Sequence, residues 1–324
     1  MRHPSHTSPE RSEGGTNRTE NKMGNSNTKG KTLYIIANGF DLAHNIKSSY
    51  ADFFNQYNGE FAEYFDSNDK IKYWKDLENA LGRIKAKNVV EICNEGIEFD
   101  LDHSLSSSAL LEDKPGDNFE SDVEKFLSDF AEWVRKIDIY EEYGIDMEDD
   151  ELLYNLRKGA LYFTFNYTET LEEIYKIPTS QICHIHGFRC NPKDEIVIGH
   201  NNAKEPIESD EIKDDDPNYI YSSKKNVISI RNKMQKQYDS NMNKNWNFFE
   251  RLGKVGKVVV YGHSLDEVDW PYFKKMFEII GPKVPWHIYD HEGENESNIK
   301  KFIEYFKPNI VNRIVYNIIT YKTN

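Results

Sequence analysis

Short apolar runs recur along the chain at 33–37, 161–165, 182–185, 196–198, 258–261 and 286–289, and a last one lies at 314–321. Each has the length and nearly continuous apolar character of a strand buried on both faces. Segments of helical period separate them. The clearest sets Phe119, Val123, Phe126, Leu127, Phe130, Trp133, Val134 and Ile137 at three-and-four spacing. Others fall at 49–65, 71–86, 168–176, 243–252, 270–280 and 296–306. Strands alternating with helices predict an α/β fold, a mostly parallel sheet flanked by helices on both faces.

The stretch from about 87 to 158 offers no clear strand and reads as a helical insertion in the α/β body. Segments 99–118 and about 203–240 read as loops, the second highly charged, with the acidic run at 208–216 a solvated face. Residues 1–30 hold almost no apolar side chain and cannot offset the entropy of ordering. They read as a disordered leader to a body at 31–324, with Met23 as an alternative start.

The 324 residues fit one large domain or two small ones. Apolar residues make up only 38%, yet 20 Tyr, 18 Phe and 5 Trp supply enough large rings for a core. A net charge of −14 repels phosphate backbones, so nucleic acid is not the expected ligand, although Lys and Arg at 223–236 leave a local basic patch open. Cys93, Cys183 and Cys190 are too few and too scattered for a disulfide framework or a structural zinc site, and fit free thiols in a reducing cytoplasm. No run is long enough to span a bilayer, and the N-terminal segment lacks the apolar stretch of a secretory signal. The expected location is cytoplasmic, with no membrane partner.

Four polar segments lie at or beside the ends of apolar runs, where open parallel sheets bind ligands. The first is Asn38-Gly39-Phe40-Asp41, followed by His44; a strand entering a Gly turn and a helix can offer backbone N–H groups to a phosphate. The competing role is structural, an Asn-Gly turn with Asp41 capping a helix. In Phe165-Asn166-Tyr167-Thr168, the Asn166 carboxamide can hold a ribose hydroxyl or another carboxamide, or it can cap a helix. In His184-Ile185-His186-Gly187 the two rings would share a face of a strand, but no third ligand at sensible spacing accompanies them, so no metal is expected. His186 reads instead as an acid or base, or as a structural histidine. The fourth segment, Gly262-His263-Ser264-Leu265-Asp266 with Asp269, is no serine-hydrolase elbow, because Asp266 stands where a second Gly is needed. Ser264 and Asp269 suit hydroxyl and phosphate contacts.

Taken together, these segments resemble the AbiH family of bacterial abortive-infection proteins. The resemblance runs through Ile-Ile-x-Asn-Gly-Phe-Asp-Leu-Ala-His at 35–44, Ser-Ser-Tyr-x-Asp-Phe at 48–53 and Trp-x-Asp-Leu-Glu-x-x-Leu-Gly at 74–82. It continues through the segments at 165–171, 184–187 and 262–273, with Ala37 and Asn45 standing where glycines are expected. A more distant resemblance is to the sirtuin-like, Rossmann-like fold of NAD-consuming defence enzymes. Matched in order along the chain, its dinucleotide turn falls on Asn38, Gly39, Phe40 and Asp41, and its Asn on Asn166. Its His-Gly pair falls on His186 and Gly187, and its ribose contact on Gly262 and Ser264, while Thr168 replaces the usual Asp.

That resemblance implies an anti-phage effector cleaving the N-glycosidic bond of NAD+ or a related nucleotide. Asn166, His186 and Asp269 would act catalytically, and Asn38, Gly39, Phe40, Asp41, His44, Gly187, Gly262, His263 and Ser264 would bind the nucleotide. Two alternatives remain open. One is a nucleotide-binding sensor or scaffold without catalysis, which the Thr168 departure motivates. The other is a metal-dependent nuclease using His184, His186, His263 and Asp269. A phage-derived trigger, a second defence component and a second copy of the chain are the further partners left open.

Overall fold

A computed structural model describes residues 30–57, 60–65, 76–95, 114–140, 154–201, 212–213, 216 and 218–316. Among these, six strands form one sheet: β1 (Lys31–Ile36), β2 (Leu161–Thr164), β3 (Ile182–His184), β4 (Val255–Tyr261), β5 (Trp286–His291) and β6 (Val311–Tyr316). Every pairing is parallel, and the order is β3-β2-β1-β4-β5-β6. The expected Rossmann-like α/β class is what the chain adopts, because the chain winds one way from β1 to β3 and the other way from β4 to β6. The point of reversal lies between β1 and β4, paired in register from Leu33↔Val258 to Ile36↔Tyr261.

Alternation within the central strands explains their unbroken apolar character. Leu33, Ile35, Leu161, Phe163, Val258 and Val260 face one core, shared with α10 (Trp270–Ile280) and α11 (Glu296–Phe306). Tyr34, Ile36, Tyr162, Val259 and Tyr261 face the other, shared with α1 (Asn38–Ala43) and with Tyr154 and Tyr175. A third core is built mainly from helices, with Ile46, Ile84 and Ile198 added from loops. It packs α2 (Tyr50–Gln56), α3 (Leu77–Leu81), α4 (Ala86–Glu95) and α5 (Lys114–Lys136) against α7 (Asn218–Lys233). Three short α-helices, α6 (Thr170–Glu173), α8 (Tyr238–Lys244) and α9 (Trp246–Phe249), and four 3-10 turns complete the described part.

Two expectations need correction. The run at 196–198 joins no strand; the Val197 N–H donates to the His186 carbonyl at 2.9 Å, and the Val197 carbonyl accepts from Tyr167 Oη at 2.9 Å. It braces the loop after β3. The charged segment at 203–240 is not wholly a loop, since α7 occupies sixteen of its residues. The buried face of α7 is Ser223, Lys224, Val227, Ile230 and Arg231, with Met234 just past its end. That face has helical spacing, but three of its members are polar, so the apolar period is masked. Arg231 donates to the Ile84 carbonyl at 2.8 Å, which gives one of its buried N–H groups a partner. Residues 1–29 and 317–324, and most of the segment at 99–118, lie outside the described residues, as does the end of the run at 314–321. Among the described residues no helix is long and apolar enough to cross a membrane.

Candidate functional site

The loops after β1 and β4 touch at two glycines. The Ala37 N–H donates to the Tyr261 carbonyl at 3.1 Å, and the Gly39 N–H to the Gly262 carbonyl at 3.0 Å. Gly262 sits at φ +66, and a Cβ there would lie 2.2 Å from the Phe40 nitrogen. Only glycine lets the chains cross so closely. The helix α1 therefore begins at once, with Ala37 as its N-cap and no side-chain cap bond. Asp41 lies within that helix and is not its cap. It is buried.

Beyond these strand ends opens a cavity of about 240 Å³. Asn38, Asp41, Asn166, His186, Gly262, His263, Ser264 and Asp269 all line it, so residues up to 231 positions apart meet in one place. Gly39, Phe40, His44 and Gly187 do not line it. Phe40 is fully buried in a core and packs on His44, Tyr154 and Tyr175. His44 bonds the Phe40 carbonyl and Tyr175 Oη, each at 2.7 Å. Its role in the fold is structural. Gly187, at φ +94, admits the carbonyl of Glu195, which would stand 2.2 Å from a Cβ. It shapes the brace behind His186. His184 also turns away from the cavity, because β3 ends at that residue and the strand alternation does not reach His186. The His184 ring bonds the Asn166 carbonyl at 2.9 Å and Glu172 at 3.0 Å.

Asp41 anchors one wall. Thr168 donates to it at 2.5 Å and Thr170 at 2.9 Å. Burial raises its carboxyl to about 6, while the hydroxyls of Thr168 and Thr170 and the Asn166 amide pull it back down. A folded pKa above the unfolded one gives stability that is whole below about pH 4 and is lost as pH rises through about 6. Urea unfolding should show wild type losing about 3 kcal/mol relative to Asp41→Asn between about pH 4 and pH 7. A difference that does not change with pH would contradict this.

Asp269 anchors the other wall. Lys236 Nζ lies 3.0 Å from its Oδ1 and 2.7 Å from Glu78 Oε1, with no exposed side-chain surface. Burial alone would lower the lysine pKa, but the carboxylates of Asp269 and Glu78 hold it above its ordinary value. Burial, partly countered by Lys236, raises the Glu78 carboxyl. His186 Nε2 approaches Asp269 Oδ1 at 3.7 Å and His263 Nε2 approaches Oδ2 at 3.5 Å. Among the described residues neither nitrogen has a hydrogen-bond partner. His263 Nδ1 accepts from the Leu265 N–H at 2.8 Å, so the neutral ring must carry its proton on Nε2, facing Asp269. Burial lowers the His263 pKa to about 4 and places that of His186 well below its usual value. Both rings are neutral at pH 7.

A family model for bacteriophage abortive infection proteins, AbiH, matches residues 33–290. The chain belongs to the AbiH family. Membership implies a role in phage abortive infection. No curated protein and no solved structure matches the chain. The matched span runs from β1 to the end of the Tyr289–Asp290 segment in β5 and so includes the whole AbiH cavity.

Sequence reasoning missed four of the polar groups that build the AbiH site. Glu78 and Tyr50 stand in the motifs at 74–82 and 48–53, where nothing in the sequence gives them a role; both line the cavity. Thr170 falls in the segment at 165–171 with no role beyond a helix start, and Lys236 lies in a segment that reads as a charged loop, where nothing marks one lysine as buried. The donor set around Asp269 does not suit a divalent cation. The His263 Nε2 carries a proton, and the Lys236 ammonium already sits against the shared carboxylate. Among the described residues no group of three His, Cys, Asp or Glu side chains is placed to hold a metal.

Proposed function

We propose that this AbiH protein is an abortive-infection effector that binds NAD+ or a related nucleotide and cleaves its N-glycosidic bond. The observation that carries the reading is the meeting of Asp41, Asn166 and His186 in one cavity at the point where the sheet reverses. The order of motifs shared with sirtuin-like proteins also supports it. Asn166 would orient the ribose or the carboxamide. As the C1′–N bond breaks, its electron pair leaves with the neutral base and positive charge grows on the ribose. Asp41 is ionised at neutral pH and would stabilise that charge. His186 has Nε2 turned to Asp269, which leaves Nδ1 to take the proton of an attacking water.

Purified protein incubated with NAD+, NADP+ and ATP should release the free base from at least one of them, read by chromatography. His186→Ala and Asn166→Ala should each lower turnover by about 10²-fold or more while remaining folded by circular dichroism. Undiminished turnover in both variants would remove these roles. A second reading, a nucleotide sensor without catalysis, is favoured by Thr168. Its hydroxyl is spent on Asp41, where the resembling enzymes carry an acid. Tight nucleotide binding in calorimetry with no product would select that reading.

A further inference from the structure

A second and larger opening, of about 630 Å³, lies on the outer side of the 264–270 loop. One layer of chain separates it from the cavity: Glu78 and Asp269 line the cavity, while their neighbours Asn79 and Val268 line this groove. Its wall on one side is aromatic. Trp270 is fixed by its Nε1–H, which donates to the Leu265 carbonyl at 3.1 Å, and Tyr305 lies 4.6 Å from it between ring centroids. Tyr305 is 59% exposed, an unusual state for so large a ring, and offers a face for stacking.

The other walls carry charge. Arg83, Lys274 and Lys301 stand against two carboxylates, Asp266 and Glu267. Both carboxylates are engaged. Asp266 accepts from Asn79 at 3.0 Å and from the Val268 N–H at 3.1 Å, and Glu267 lies 3.7 Å from Lys301. Arg83 and Lys274 are exposed and have no ion pair among the described residues, although Arg83 lies near enough to Asp76 to draw its carboxyl down against the pull of burial and Asp266. Two cations without an ion pair, lining the same groove as an aromatic pair, match a ligand that joins an aromatic base to a phosphate. The chain's net charge of −14 opposes a long polyanion but not a small one.

We propose that this groove is a second nucleotide site, distinct from the cavity, that stacks a base on Trp270 and Tyr305 and holds its phosphate with Arg83 and Lys274. This inference does not depend on the chemistry proposed for the cavity.

Photolabelling of the full chain with 8-azido-ATP, followed by peptide mapping, tests it. Label should fall on peptides containing Trp270 or Tyr305, and unlabelled ATP should compete while inorganic phosphate at the same concentration should not. The double variant Arg83→Glu/Lys274→Glu should lose labelling there by about tenfold or more, since it removes two charge-assisted contacts and sets like charge against the phosphate. Both positions are exposed, so the variant should fold normally, and His186→Ala should label the groove as wild type does. Label confined to cavity peptides, equal competition by inorganic phosphate, or stronger competition by a single-stranded oligonucleotide than by ATP would each overturn the proposal.

Discussion

Replacing Lys236 with Met is expected to cost the fold about 3–5 kcal/mol, because removing one partner of a buried ion group strands the others. The ammonium has no exposed surface and is the cation between Glu78 and Asp269. Without it two carboxylates share one buried site, and one of them must take up a proton to stay there. The double variant Lys236→Met/Glu78→Gln should recover part of the loss by removing one of the stranded charges. Urea unfolding at neutral pH reads both changes. The lysine contribution is present below its unfolded pKa and is lost only as pH climbs through its raised folded value, so neutral pH shows it in full. A loss under about 1 kcal/mol would mean that the cluster is solvated and relaxed, contrary to the burial described.

Gly262→Ala is expected to destabilise by about 2–5 kcal/mol. The left-handed backbone costs a side chain about 1–2 kcal/mol, and forced overpacking adds about 1–3 kcal/mol. A Cβ at this position would stand 2.2 Å from the Phe40 nitrogen and 2.6 Å from the Gly39 carbonyl carbon, both of them backbone atoms that cannot swing away. The strain falls on the β1–β4 contact that forms the floor of the cavity, so ligand binding should weaken along with stability. Gly253→Ala is the control, because a Cβ there meets nothing within 4 Å and the backbone is not left-handed. If thermal unfolding showed the two variants to be equally stable, the close crossing of the two loops would be wrong.

The sheet was legible because the central strands are buried on both sides and so announce themselves as apolar runs. The placement of Asn38, Asn166 and Ser264 at strand ends was legible for the same reason, since a polar group just past a buried run falls at the edge of the sheet. The helix α7 was not, because most of its inward face is polar and bonds partners far away in sequence, as Arg231 does the Ile84 carbonyl. The run at 196–198 misled in the opposite way. Three apolar residues suffice to brace a loop, and composition cannot distinguish a brace from a strand. His44 and Phe40 sat in a motif with every sign of a ligand-binding turn, yet one helical turn carries them to the core side.

By itself the sequence determined the alternation of strands and helices, the polar segments at their ends and the family they identify, because each is written in neighbouring residues. Only the tertiary structure decided which ionisable groups share a low-dielectric space. Asp41 rises toward neutrality, His263 stays uncharged, and Lys236 remains ionised between two carboxylates. Those states depend on burial and on distances of a few ångströms between distant residues, and charge interactions at that range are not encoded in any local pattern.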